Sequence, residues 1–186
     1  SMDDRSLFRF HPTYTRDKFP TAFDWSSWGS FSGAVEMCNN NGACRKLSGG
    51  AMCPSFRATR DEQHSTRGRA NVLRLALSGQ LGVNGITSDA MEESLKLCIG
   101  CKACRLECPT GVDMARMKTE IMYNRITKTG LSTRDRLIGF FPRYAPLIAK
   151  VPYIANLGGT KIGSALRQQF FGLSKEQALP IWAQSS

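Results

Sequence analysis

Apolar positions recur at helical spacing through the middle of this chain, and the two-residue alternation of a half-buried strand is nearly absent. Val72, Leu73, Ala76 and Leu77 fall on one side of a helix that Thr66 can cap and that ends near Gly79. A second helix starts at Ser88 or Asp89 and carries Met91 and Leu95 one turn apart. Thr110, followed three residues later by Asp113, approximates a capping box for a third, through Met114, Met117 and Ile121 to a stop at Gly130. Before Phe31 the pattern changes: Phe8, Phe10, Tyr14, Phe19, Phe23, Trp25 and Trp28 alternate with polar residues, and Pro12 and Pro20 break any period. That composition predicts an extended strap docked by its rings. After Gly130 come short helical pieces broken by prolines, then a polar tail. The expected architecture is all-α, with a strap over 1–30, a helical domain over 31–130 and a helical extension and linker over 131–186.

Composition sharpens this only in part. The chain has 186 residues, 41% of them hydrophobic, enough for a buried core. Lys and Arg number 25 against 15 Asp and Glu, and the net charge of +10 raises nucleic acid, a membrane surface or an anionic partner. Ser1-Met2-Asp3-Asp4 is polar where a secretory signal would be basic and then apolar. The greasiest stretch, Leu137 to Leu157, holds Pro142, Arg143, Pro146, Lys150 and Pro152, whereas a spanning helix needs about 20 nearly uninterrupted apolar residues. The expectation is a cytoplasmic protein, at most at the inner face of the membrane, with Leu137–Leu157 packed on a further domain rather than on lipid.

The cysteines decide among the partners. Seven is an odd count, which argues against a secreted disulfide scaffold. They form a repeat: Cys98-Ile-Gly-Cys101-Lys-Ala-Cys104-Arg-Leu-Glu-Cys108-Pro109, and earlier Cys38-Asn-Asn-Asn41-Gly-Ala-Cys44 with Cys53-Pro54 after eight more residues. Cys38, Asn41 and Cys44 keep the steps of Cys98, Cys101 and Cys104, with Asn41 where the middle cysteine belongs. C-x2-C-x2-C-x3-C-P is the bacterial ferredoxin run: three thiolates grip one iron–sulfur cube, and the Cys-Pro thiolate serves the other cluster. Crossing the fourth ligands gives cluster A Cys53, Cys98, Cys101 and Cys104, a full [4Fe–4S] set. Cluster B receives Cys38, Cys44 and Cys108. Such a site holds a [3Fe–4S] cluster, or a [4Fe–4S] cluster with Asn41, water or an outside group on the last iron; an amide is a poor ligand for soft iron, which favours the three-iron form. Gly42 and Gly100 free backbone N–H groups to approach sulfur, and Pro54 and Pro109 are expected to turn the chain away.

Zinc fits this badly, because its structural sites pair one short C-x-x-C with a second pair well apart. Each cluster with its thiolates carries roughly two negative charges. Arg45, Lys46, Arg57, Arg60, Lys102 and Arg105 flank the cysteines and account for part of the basic balance without nucleic acid, whose stacking aromatics are not interleaved here. His11 and His64 are far apart, no catalytic triad or paired carboxylates stand out, and no G-x-G-x-x-G follows a strand. The chain reads as a non-catalytic redox module whose chemistry takes place on a cofactor bound elsewhere.

The run from Met52-Cys53-Pro54-Ser55-Phe56-Arg57 to Arg69-Ala70-Asn71, and the run from Cys98 through Cys108-Pro109-x-Gly111-Val112-Asp113-Met114-Ala115, resemble the iron–sulfur segment of the FAD-linked oxidases. That family includes D-lactate and D-2-hydroxyglutarate dehydrogenases. The resemblance implies an α-helical ferredoxin fold like the C-terminal part of succinate dehydrogenase iron–sulfur subunits, where a C-x5-C unit likewise serves a three-iron cluster. It implies the seven cysteines as ligands and FAD on a domain this chain lacks. It further implies single electrons passed from a D-2-hydroxy-acid oxidation to a quinone, a carrier protein or a further redox domain. Alternatives are a freestanding ferredoxin-type subunit of a membrane dehydrogenase and a structural cluster or zinc module that binds nucleic acid.

Overall fold

Ser65, not Thr66, starts the central helix. Its backbone is extended and its hydroxyl accepts the Gly68 amide at 2.9 Å, so Thr66 becomes the first helical residue instead of the cap. The computed structural model describes residues 15–172 and, beyond them, 174, 176, 178 and 181–183; Phe8, Phe10 and Tyr14 of the expected strap lie outside the described residues. Among the described residues there is no strand, and the protein is all-α as its periodicity predicts. It divides at Thr129/Gly130 into two compact units.

In the first unit α1 (Phe31–Glu36), α2 (Pro54–Thr59), α3 (Thr66–Leu77), α4 (Asp89–Lys96), α5 (Ala103–Glu107) and α6 (Met114–Thr129) are joined by irregular loops and single 3-10 turns. The 12-residue α3 is the hub and packs against α1, α4 and α6. Its Ala70, Leu73, Ala76 and Leu77 meet Val35, Met91, Leu95, Met117 and Ile121 in one apolar core. Ser88 caps α4 by accepting the Met91 amide. At α6 the expected Thr110 box is replaced by Asp113, whose carboxylate accepts the Arg116 amide at 3.0 Å. Thr110 instead sets its hydroxyl 3.3 Å from the Cys108 sulfur.

The strap does dock by its rings, and its anchor is a carboxylate. Glu120 on α6 is fully buried and accepts the Ala22 amide at 2.7 Å, the Phe23 amide at 3.0 Å and the Trp25 indole N–H at 2.9 Å. Trp25 packs edge-on against Phe31 with ring centres 5.1 Å apart, and Phe19 does the same from the other side at 5.1 Å. The Arg116 guanidinium lies 4.6 Å from the Trp25 ring centre.

The second unit consists of α7 (Thr133–Gly139), α8 (Phe141–Ile148), α9 (Pro152–Leu157) and α10 (Lys161–Phe171). Ser132 caps α7, Pro142 and Pro152 occupy first turns where a missing N–H costs nothing, and Pro146 lies inside α8. Tyr144 donates its hydroxyl to the Leu137 carbonyl. Among the described residues no helix is long and apolar enough to cross a membrane.

Glu120→Ala should destabilise the first unit by on the order of 3 kcal/mol, because the buried Trp25 indole and two part-buried amides lose a charged acceptor. Urea unfolding checks the loss, and a red-shifted tryptophan emission should report the freed strap.

Candidate cluster site

Each cysteine unit winds through the same backbone path. Counting from its first cysteine, residues two and four steps on are left-handed in both: Asn40 (φ 62°) and Gly42 (φ 78°) in the first, Gly100 (φ 68°) and Lys102 (φ 60°) in the second. In this path Gly42 matches Lys102, and Gly100 matches Asn40. Two left-handed residues curl the chain so that the cysteines at steps zero and six face the same side. Asparagine and glycine take this conformation readily, whereas lysine pays roughly 1–2 kcal/mol for it. Cys53 is left-handed too (φ 51°), so the sharp bend lies at the cysteine, and Pro54, expected to turn the chain away, instead opens α2.

Cys53, Cys98, Cys101 and Cys104 line a single pocket, walled also by Pro54, Ile99, Gly100, Met114 and Ala115. The structure thus brings the first unit's Cys-Pro cysteine to the second unit's turn. On the other side, the charges of Cys44 and Cys108 both act on Cys38. Cys38, Cys44, Cys53 and Cys104 are buried, Cys98 and Cys108 half-buried and Cys101 exposed. Cys44 and Cys53 hydrogen-bond one another, so Cys53 stands between the two groups. Asn41 is exposed and its amide is used within its own loop: it donates to Asn39 at 2.5 Å and accepts the Ala43 amide at 2.8 Å. The neighbour that touches Cys38 is Asn40, with its carbonyl oxygen 4.0 Å from the sulfur.

Backbone N–H groups polarise the environment of Cys38, Cys44, Cys53 and Cys104. Cys53 receives the Thr66 amide at 3.0 Å and the Thr66 hydroxyl lies 2.9 Å away. Cys44 receives the Arg67 amide at 3.4 Å. Both donors belong to the first turn of α3, where the dipole favours negative charge. Cys44 is lowered to about 6, chiefly by the Cys53 thiol, against burial and with help from the Arg67 amide. Cys53 is pushed up by that same bond and by burial. Burial also raises Cys38, against the Asn40 amide, and Cys104, against the Met114 and Ala115 amides at the start of α6. Burying these groups favours thiols in the metal-free chain, and iron binding would release their protons.

Sequence reasoning missed the side chains that hold the two units together. Arg69, 2% exposed, donates to the Ser94 carbonyl at 2.9 Å and the Ser55 hydroxyl at 3.0 Å, tying α2, just after Cys53, to α4, just before Cys98. Arg74 donates to the Glu36 and Cys38 carbonyls. Glu107, next to Cys108, accepts the Ala51 and Met52 amides at 2.6 and 3.0 Å, and those two bonds hold its carboxyl below the usual range. Lys118 donates to the Cys98 carbonyl at 2.5 Å. The cations expected to flank the clusters are divided. Arg45 pairs with Glu62, as does Arg67, and burial of Glu62 is outweighed by Arg67 so that its carboxyl stays low.

Soft sulfur donors, apolar walls and N–H groups aimed at sulfur suit an iron–sulfur group. Sulfurs around one zinc ion at about 2.3 Å stand about 3.8 Å apart. Among the described residues no three Cys, His, Asp or Glu side chains gather closely enough for a single ion.

Comparison with known proteins agrees. Residues 34–112, which take in all seven cysteines, match the family of the 4Fe-4S dicluster domain. The chain is similar to the D-2-hydroxyglutarate dehydrogenase of Escherichia coli (strain K12), 28% identical over 159 residues that cover 67% of this chain and 16% of that protein. The enzyme of the same name from Pseudomonas putida (strain KT2440) is 27% identical over 173 residues, 76% of this chain and 17% of that protein. The probable glycolate oxidase iron-sulfur subunit of Bacillus subtilis (strain 168) is 33% identical over 69 residues, 37% of this chain and 15% of that protein. The chain therefore spans less than a fifth of each of these relatives. No solved structure matches it significantly. The motif resemblance to the iron–sulfur domain of FAD-linked oxidases is borne out, and the chain is a 4Fe–4S electron-transfer domain related to these proteins.

Arg69→Met should cost on the order of 3 kcal/mol, since it leaves a buried carbonyl and hydroxyl without their charged donor. Arg45→Met, which breaks a half-exposed pair, should cost less than about 1 kcal/mol. Chemical denaturation of the two variants side by side checks the contrast.

Proposed function

We propose that this chain relays electrons singly between an FAD domain that oxidises a D-2-hydroxy acid and a downstream acceptor. D-2-hydroxyglutarate is the first candidate substrate, because that acid is in the name of the relatives matched over most of this chain. The observation that carries the reading is the shared pocket of Cys53, Cys98, Cys101 and Cys104. A crossed ligand set of this kind is what a two-cluster ferredoxin needs and what a string of independent zinc sites does not.

In this reading Cys53, Cys98, Cys101 and Cys104 hold a [4Fe–4S] cluster, and Cys38, Cys44 and Cys108 hold the second. The second is a three-iron cluster, supported by the engagement of Asn41 with Asn39 and Ala43 rather than with a sulfur. When bound, such clusters accept and release one electron at a time at potentials set by charge, hydrogen bonds to sulfur and exposure. The protein's part is to fix those settings. Thr66 and Arg67 hold N–H groups on Cys53 and Cys44, the start of α6 does so for Cys104, Arg69 keeps the two units in register, and Arg74 ties the first unit to α3. Val35, Met52, Phe56, Met114 and Val112 keep water from the buried faces. The quinone, carrier protein or further redox domain that takes the electrons is open among these three.

Anaerobically purified protein should contain seven irons per chain with matching acid-labile sulfide, against eight if the second site holds four irons. About one zinc and no sulfide would overturn the reading. Asn41→Cys should raise the count to eight and replace the electron spin resonance signal of a three-iron cluster; an unchanged signal would show that residue 41 does not face the cluster.

A further inference from the structure

Cations around the two cysteine units are treated differently. Beside the first, Arg45 and Arg67 share Glu62, while Arg57, Lys46 and Arg60 form no ion pair among the described residues. Beside the second, Lys102, Arg105, Arg116 and Lys118 line one open groove next to Cys98 and Gly100, and among the described residues none of the four forms an ion pair. Asp113 is the only carboxylate lining the groove, and its oxygen already accepts the Arg116 amide. The floor includes Phe23 and Ile99, the latter 75% exposed. Arg116 also donates to the Asp24 carbonyl, and its charge acts on the Asp24 carboxylate, but the four cations still outnumber the carboxylates beside them. Apolar side chains among such an excess of positive charge have the composition of a transient protein interface, with steering by charge and contact by the apolar groups.

Lys102 adds an independent observation. It occupies the left-handed position that Gly42 fills in the first unit, so the fold would be easier with glycine there. Strain retained at such a position points to a use for the side chain. Arg105 and Arg116 lie 5.9 and 5.8 Å from the Trp28 ring, which fixes their charges in place ahead of any encounter.

We propose that this groove is the docking surface for an acidic face of a protein redox partner, which meets the chain at the Cys98–Lys102 turn. The inference rests on the electron-transfer reading, since Cys98 and the exposed Cys101 bring that cysteine set nearest to solvent here. Charge complementarity selects the partner: four cations on one rim favour carboxylates and repel a basic surface. The first unit's face, where Arg45 and Arg67 share Glu62, is left for a contact of different character.

The test uses the anaerobic protein mixed with an acidic flavodoxin as probe and a zero-length carbodiimide, which joins lysines only to carboxylates in direct contact. Cross-links should concentrate at Lys102 and Lys118, and be lost by about 0.5 M NaCl. The double variant Lys102→Gly/Arg105→Gln should lower the cross-linked yield about tenfold, while its iron content and unfolding midpoint hold or rise, because glycine relaxes position 102. Cross-links spread evenly over Lys18, Lys46, Lys96 and Lys128 would overturn the proposal, as would a variant that couples as well as the parent. A shifted reduction potential with undiminished coupling would mean that these cations only offset the cluster's own charge, and would overturn it too. Displacement by millimolar citrate at constant ionic strength would assign the groove to a small anion, and preference for anionic vesicles would assign it to a membrane; either result refutes a protein partner. Iron and sulfide measured on the same samples keep the two readings apart: clusters without coupling refute the docking surface alone, and coupling without clusters refutes the electron-transfer reading.

Discussion

A guanidinium buried between three helices is the constraint on which the rest of this structure depends. Arg69 reaches from α3 to Ser55 on α2 and to Ser94 on α4, the two helices that deliver Cys53 and Cys98. Cysteines separated by 45 positions in sequence meet in one pocket only if those helices are held at fixed spacing, and apolar packing around small residues such as Ala70 and Ala76 is too permissive to fix it alone. A buried charge hydrogen-bonded to both helices supplies that register, at a cost the surrounding core must cover. Glu107, an exposed carboxylate beside Cys108, makes a second tie at the other crossing point by accepting the Ala51 and Met52 amides that precede Cys53.

Two cysteine turns with the same pair of left-handed residues describe a duplicated unit that has since specialised. The first turn uses asparagine and glycine, lies next to internally paired cations, and lacks the middle cysteine. The second keeps all its cysteines, carries a lysine in the strained position and leaves its cations unpaired. In the proposed reading the missing cysteine at position 41 would set the two clusters apart, and it is a substitution at a matched position with no change of path.

Much of the helical body was legible because it depends on periodicity. Leu73, Leu77, Met91, Leu95, Met117 and Ile121 are core residues at the spacing the sequence displays. Caps were legible to within a residue: Ser65 and Thr66 can each accept an amide, and which one does so depends on where the chain leaves the extended conformation. The cysteines stood out because a repeated step of three has no use in an ordinary core. Arg69, Arg74, Glu107 and Glu120 did not, since they bind backbone amides and carbonyls, and a backbone partner leaves no mark in sequence. A left-handed residue is defined by φ, and asparagine, lysine and cysteine take it here beside glycine.

The central claim is that each cluster is completed by the cysteine-proline thiolate of the opposite unit, and anomalous diffraction at the iron edge from anaerobically grown crystals tests it most directly. The account predicts two separate iron centres, one with the Cys53 sulfur bound alongside Cys98, Cys101 and Cys104, the other with Cys108 bound alongside Cys38 and Cys44. An iron centre enclosed by Cys98, Cys101, Cys104 and Cys108, with Cys53 left unbound, would contradict it.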